Sequence, residues 1–294
     1  KIRRKALSLG FDLCGIACCR SLERQYDRFK NWLADGCDGG LEYLRRNTGK
    51  RFDPGALCEG ARSVIVCGVG YHRPPSAHEV ASRIASYAHS RDYHLTIRER
   101  LNELSAYLRE LVPGASGRVF TDTAPLAEKS WAVEAGLGWI GRNSLLANPR
   151  LGSFLLLGEV VTTAELEPDA PFVRDGCGTC RACVDACPVA AIRPDRTIDA
   201  GRCISRRTIE TGDGDEGDLH GWLFGCDVCQ RACPYNRKAP VSVHDSFAPL
   251  AELERLDVND WLGLDEAGFR RIFGETPLAR CGLRRLQERI RRLK

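Results

Sequence analysis

The chain has 294 residues, 43% of them hydrophobic and 28% charged, and a formal net charge of +4. That length supports two domains with sizeable cores, and the composition excludes a fibrous or disordered chain. So mild a charge does not by itself imply nucleic acid. No apolar run approaches a membrane span either, since the best, Phe154 to Val161, is interrupted by Gly158 and Glu159.

The start, Lys1-Ile2-Arg3-Arg4-Lys5, is basic, but no long apolar segment follows it. No signal peptide is therefore expected, and the expected location is the cytoplasm. Methionine is absent throughout, so the native start is expected to lie outside this chain. Residues 10–17 read as a helix end running into a strand. Residues 22–34 are helical in pattern, with Tyr26, Phe29, Trp32 and Leu33 on one face. A turn built on Gly36, Gly39 and Gly40 follows, and then Arg51-Phe52-Asp53-Pro54 turns the chain again. Residues 63–69 form an unbroken apolar, β-branched run, the mark of a strand buried on both faces. Tyr87, Tyr93 and His94 crowd functional side chains into a short segment. Residues 95–111 are an amphipathic helix built on Leu101, Leu104, Leu108 and Leu111. Residues 118–121 make a short strand, after which Asp122 or Thr123 can cap a helix over 126–135. Gly136-x-Gly138-x-x-Gly141 follows that helix rather than a strand, so it fails the context of a dinucleotide loop and reads as a tight turn. Residues 152–162 are a further strand. The elements alternate without a βαβ rhythm, which makes residues 1–168 an α+β domain.

Residues 169–240 carry the strongest chemical signal. Eight of the fifteen cysteines lie here, as Cys177-x2-Cys180-x2-Cys183-x3-Cys187-Pro188, a lone Cys203, and Cys226-x2-Cys229-x3-Cys233-Pro234. The first run has the spacing with which bacterial ferredoxins hold 4Fe-4S clusters, and eight thiolates supply two such clusters. In that arrangement the fourth cysteine of a run ligates the other cluster. Cluster one then takes Cys177, Cys180, Cys183 and Cys233, and cluster two takes Cys187, Cys203, Cys226 and Cys229. A structural zinc site is the alternative, but zinc needs four ligands and prefers paired C-x2-C knuckles. Cys14, Cys18, Cys19, Cys37, Cys58, Cys67 and Cys281 show no ligand spacing and read as small buried hydrophobes.

The remaining candidates each have a plain alternative. Asp122 suits a helix cap, or a general acid if burial raises its pKa. Tyr87, Tyr93 and His94 suit packing as well as chemistry. Residues 241–294 are mostly helical and end in a basic stretch: Arg280, Arg284, Arg285, Arg289, Arg291, Arg292 and Lys294 stand against Glu288. That stretch is a solvated face or a phosphate-binding helix.

Several motifs coincide in order: Gly10-Phe11-Asp12, Glu42-Tyr43-Leu44, Arg51-Phe52-Asp53-Pro54, Tyr87-Ala88 with Asp92-Tyr93-His94, and Asp122-Thr123-Ala124-Pro125. Then come Gly136 to Asn143, Gly158-Glu159, and the cysteines with Trp222-x-Phe224-Gly225-Cys226-Asp227. Over essentially the whole chain this resembles the epoxyqueuosine reductase (QueG) family. The resemblance implies a nitroreductase-like cobalamin-binding domain over 1–168, a two-cluster ferredoxin-like domain over 169–240, and a helical basic segment over 241–294. It implies reduction of epoxyqueuosine to queuosine at the wobble position of a tRNA anticodon, the last step of queuosine biosynthesis. Electrons would pass through the clusters to cobalamin, and Asp122 would donate the proton. The cobalamin pocket would draw on Arg45, Tyr87, His94, the loop from Asn143 to Leu146, Ser205, Cys226 and Asp227. The implied partners are a tRNA anticodon stem-loop and a reducing protein or small reductant, with no membrane and a monomeric state. A reductive dehalogenase and a non-catalytic electron-transfer protein are the rival functions. The chain departs from the family at Ser86, where an arginine is frequent, and in the acidic, glycine-rich residues 211–218. Residues up to Lys294 include no helical-repeat extension of the kind some members carry, so tRNA contacts are expected on the basic tail and the cluster domain.

Overall fold

The computed structural model describes residues 1–210 and 216–293. The acidic residues 211–215 lie outside the described part, so the loop singled out in the sequence is described only from Glu216 onward.

Ile2–Ser8 (α1) leads into Leu13–Cys18 (β1), Glu23–Ala34 (α2), the single turn Glu42–Arg45 (α3) and Ser63–Gly70 (β2). Tyr93–Leu111 (α4), Gly117–Phe120 (β3), Glu128–Glu134 (α5), Trp139–Ile140 (β4), Leu146–Ala147 (β5) and Leu155–Thr162 (β6) complete the first part. β1, β2, β6 and β3 form one antiparallel sheet in that order, and β4 and β5 form a separate two-stranded ribbon. The two apolar runs of the sequence become the central strands, β2 and β6, which are covered on both faces. On one face Ile97, Leu101, Leu104 and Leu108 of α4 pack on Ile65, Cys67 and Val160. On the other, Trp131 and Ala132 of α5 pack on Val64, Val66 and Val161. Gly158 is required for this closeness: a Cβ there would lie 2.6 Å from Ile97 Cγ2 and 2.8 Å from Leu101 Cδ1. The α+β reading holds.

The cysteine part is threaded by four short helices: Ala182–Ala186 (α6), Ile204–Glu210 (α7), Val228–Arg231 (α8) and Pro234–Arg237 (α9). The last part is helical as expected, with Val258–Gly263 (α10), Glu266–Phe273 (α11) and Leu283–Arg291 (α12). It is not a free tail. Leu283, Leu286 and Ile290 join a third core with Val80, Ile84 and Ala88 of the first part and Leu223 and Phe224 of the cysteine part.

Three expectations need correction. Asp122 and Thr123 do not cap the following helix, because α5 begins after Ala127 with no side-chain cap. The chain from β3 first turns through Asp122 in a left-handed conformation, φ 53°, so the capping geometry is never reached. Arg289 belongs to neither a solvated face nor a phosphate-binding one. It is buried, donating to Glu216 (Nε at 3.1 Å) and to the carbonyl of Leu223. Of the seven cysteines read as buried hydrophobes, Cys37, Cys58, Cys67 and Cys281 are buried, whereas Cys18 is exposed and Cys14 and Cys19 are partly so. The strand edge at β1 leaves them uncovered.

Candidate active site

Local turns deliver the eight cysteines to two places. Cys177, Cys180, Cys183 and Cys233 line one cavity of about 490 Å³. Pro234 at the first position of α9 ends the preceding loop and fixes Cys233 beside the first three. The second group is read from mutual proximity: Cys226 is pushed up to about 12 by burial, to which the neighbouring thiols of Cys203 and Cys187 add. Burial, Cys226 and Cys203 likewise raise Cys229, which also feels Cys183 of the first group. Crowded thiols of this kind are relieved when they bind metal as thiolates.

Among the described residues, no three His, Cys, Asp or Glu side chains converge to hold a single ion. Four thiols around one cavity fit the cluster that their spacing implies. Donors already aim at sulfur: Trp139 Nε1 lies 3.3 Å from Cys177 Sγ, and the Ala191 amide lies 3.3 Å from Cys187 Sγ. Such hydrogen bonds help set the potential of an iron–sulfur cluster.

Asp122 sits where α4 begins and β3 ends. Its Oδ2 accepts from Tyr93 Oη at 3.0 Å and lies 3.2 Å from His94 Nε2. Asp92 caps α4 through the His94 amide, and its Oδ1 also meets His94 Nδ1 at 2.7 Å. His94 is thus held between two carboxylates. Burial opposes its charge, but the hydrogen bonds and charges of Asp122 and Asp92 outweigh this and push it up to about 9. The same His94 contact holds Asp122 below the usual carboxylate range, against the opposing effect of burial. The acid is not primed by burial, as the sequence suggested it would need to be. At neutral pH the proton of the pair rests on His94 while Asp122 is ionised. The Asp122 side chain is still 53% exposed, open to an incoming group.

A short bridge joins this acid to the second thiol group. Asp227, next to Cys226, is buried and accepts from the Ser86 amide at 2.8 Å and the Ser86 hydroxyl at 2.6 Å. The Ala85 amide donates to the Phe224 carbonyl at 2.8 Å. Tyr87 then packs between Phe224, at 6.2 Å, and Tyr93, at 6.0 Å. Tyr87 and His94 of the expected pocket therefore stand with Asp122. Cys226 and Asp227 stand one layer behind them, with the Asp227 carboxylate committed to Ser86 rather than open. The Ser205 backbone hydrogen-bonds the Cys203 thiol at the start of α7. Arg45 forks onto Asp38 at 2.8 and 2.7 Å, Asn143 lines the cavity of the first thiol group, and Leu146 is buried in the α5-side core. No contact brings these three to Asp122.

Sequence reasoning missed two carboxylates. Glu128 accepts the backbone amide of Asp122, and Glu159 lies beyond Glu128, fully buried. The signal for Glu159 was present, since it is the one charge in the apolar run of β6.

Fold and site together define an iron–sulfur oxidoreductase in which an α+β domain presents an acid beside a two-cluster domain. Comparison with known proteins makes this specific. Residues 51–123 match the family described as Epoxyqueuosine reductase QueG, DUF1730, and residues 176–236 match the 4Fe-4S double cluster binding domain. The chain is 40% identical to an epoxyqueuosine reductase of Cyclobacterium marinum, over 98% of this chain and 94% of that one. It is 36% identical to one of Leadbetterella byssophila, over 99% and 96%. The chain belongs to the epoxyqueuosine reductase family.

Among solved structures, the Streptococcus thermophilus epoxyqueuosine reductase matches with TM-score 0.87 at 27% identity, over 98% of this chain and 78% of that one. An epoxyqueuosine reductase bound to an epoxyqueuosine-modified tRNA stem loop matches with TM-score 0.87 at 26% identity, with the same coverage of 98% and 78%. The Bacillus subtilis enzyme, solved with an aspartate's catalytic loop swung out of the active site, matches with TM-score 0.89 at 25% identity, over 98% and 78%. A reductive dehalogenase shares the fold alone, with TM-score 0.50 at 17% identity, over 99% of this chain and 36% of that one. No described helix is long and apolar enough to cross a membrane.

Proposed function

We propose that this chain reduces epoxyqueuosine to queuosine in a tRNA anticodon loop. The eight cysteines would carry two 4Fe-4S clusters in the interleaved sets, and Asp122 would give the proton. The observation that carries the reading is the Asp92–His94–Asp122 series, open to solvent at Asp122 and linked through Tyr87 to the segment that bears Cys226.

A corrin fits the donor set there. Tyr87, Tyr93 and His94 offer an aromatic wall, with rings 6.0 Å and 4.1 Å apart. Bound cobalamin would supply a low-valent nucleophile for opening a strained epoxide. The protein's own task is the proton. Turning an epoxide into an alkene takes two electrons, from the clusters, and two protons, and releases the oxygen as water. Asp122 would pass the first proton to that oxygen as the ring opens, drawing on His94 Nε2, and the second would come from solvent through the exposed face of Asp122. Asp92 holds the far nitrogen of the imidazole so that the ring stays oriented and charged. Tyr93 fixes the same carboxylate oxygen. Arg280, whose charge reaches Asp122, suits the phosphates of an RNA loop.

Anaerobically reconstituted protein should show corrin absorbance and convert epoxyqueuosine in tRNA. An Asp122→Asn variant should keep the absorbance and lose turnover by about 100-fold or more, the scale of a lost general acid. Equal activity of the variant and wild type would sink the reading. No activity on that tRNA, with turnover of a halogenated aromatic, would favour the dehalogenase. Absence of any corrin spectrum would favour the electron-transfer protein.

A further inference from the structure

Glu159 occupies the middle of β6, opposite Val66 of β2 and Phe120 of β3. Its neighbours on the strand, Leu157 and Val161, and both of these partners belong to the apolar layer under α5. The residue is 0% exposed, and neither carboxyl oxygen has a donor among the described residues. An ionised carboxylate in such a place is untenable unless paired. The group it meets is another acceptor, Glu128 at the start of α5. Two carboxyls in contact form a hydrogen bond only if one of them carries a proton.

Which one carries it follows from the surroundings. Glu128 already accepts the backbone amide of Asp122 and feels the ammonium of Lys129. Glu159 has neither. Among nearby titratable groups, β2 contributes only Cys67, which packs in the opposite layer, and the loop after β3 contributes Asp122. Glu159 is therefore the better seat for the proton, and from there its carboxyl can donate to Glu128. Burial drives both groups upward, Glu128 to about 7 and Glu159 well above the usual range.

Glu128 is bonded to the one backbone position that matters most for the acid. Asp122 holds φ 53°, a left-handed conformation uncommon for residues other than glycine although aspartate is among the more tolerant, and a fixture on its backbone amide helps to hold it. The Glu128 carboxyl on the Asp122 amide is such a fixture, and the resulting orientation aims Oδ2 at His94 and Tyr93.

We propose that Glu159 and Glu128 are positioning residues for the proton donor: a one-proton carboxyl pair, anchored in the sheet, that latches the Asp122 loop in place. This rests on the reading of Asp122 as that donor. No bond is made or broken by the pair, and its proton stays between the two carboxyls.

The test is hydrogen exchange at the Asp122 and Thr123 amides of the reconstituted protein, alongside turnover. Glu159→Leu removes the donor but leaves an apolar layer that accepts it, so the variant is expected to fold. It should exchange at these amides roughly tenfold faster than wild type, the loss of one charge-assisted hydrogen bond. Glu128→Ala should do the same. Glu159→Gln still donates to Glu128 and should restore protection to within about twofold of wild type. In wild type, infrared spectra at neutral pH should contain a protonated-carboxyl band that Glu159→Gln removes. Unchanged exchange in Glu159→Leu, no rescue by glutamine, or absence of that band would each overturn the latch. If the latch behaves as described but wild type leaves epoxyqueuosine tRNA untouched, the functional reading fails and the latch stands. If wild type turns over and exchange is unmoved, the latch fails alone.

Discussion

At the scale of single residues, the proposed chemistry turns on His94 being charged. Its pKa is raised in the folded chain from 6.5 to about 9 by Asp122 and Asp92 acting against burial. A base whose pKa rises on folding contributes stability that is fully present below its unfolded value and lost as pH climbs through the folded one. The His94 contacts should therefore stabilise the fold below about 6.5 and cease to do so above about 9. Turnover should fall over the same upper range, as the proton available to Asp122 is lost. Asp92→Asn removes one of the two carboxylates and should move that alkaline limb to lower pH. Following the His94 ring protons by NMR against pH in both forms checks this, and an unmoved titration would remove Asp92 from the relay. The sequence offered Asp122, His94 and Tyr93 as separate residues with plain alternatives. Their convergence depends on β3 ending beside the first turn of α4, a tertiary fact with no local signature. Glu128 was illegible for the same reason, since it earns its place only through a backbone amide six residues earlier.

At the scale of elements, the strands were legible because β2 and β6 are buried on both faces, and that leaves an unbroken apolar run. Helix α12 was half legible. The stripe of Leu283, Leu286 and Ile290 marked the buried face, but the arginine count hid that Arg289 lies on that side too. Arg289 and Glu216 have side chains only 2% and 8% exposed. Arg289 also reaches the Leu223 carbonyl and, at 3.2 Å, Cys281 Sγ. This pair ties the last helix to the segment leading into Cys226. Removing one partner of a buried pair leaves the other uncompensated, at a cost of about 3–5 kcal/mol. Arg292, 3.7 Å from Glu216, remains to offset part of that. Arg289→Met should therefore lower stability by about 3 kcal/mol in chemical denaturation, and adding Glu216→Leu should recover most of it. An Arg289→Met protein as stable as wild type would return the residue to the solvated face that the sequence allowed.

At the scale of the whole molecule, the third core makes the three sequence segments one body. Ile84 and Ala88, Phe224, and Leu286 come from the first, second and last parts and pack together. That packing sets the second thiol group behind Tyr87, so its order relative to the first group matters for any electron path. Interleaved ligation is the expectation from the spacing, and Cys233 lines one cavity with Cys177, Cys180 and Cys183. A sequential reading would instead assign Cys233 to the same cluster as Cys226 and Cys229, its near neighbours in the chain. The two readings separate cleanly by substitution. Under interleaving, Cys233→Ser and Cys180→Ser damage the same cluster, while Cys203→Ser and Cys187→Ser damage the other. Each variant should lose about half of the reconstituted iron, and the double variant Cys180→Ser/Cys233→Ser should lose no more than either single one. Electron paramagnetic resonance of the reduced proteins should sort the four single variants into those same two pairs. If Cys233→Ser instead groups with Cys203→Ser, the ligand sets are sequential. Tyr87 would then face a cluster that Cys233 completes, and the fixed order from cavity to acid would have to be redrawn.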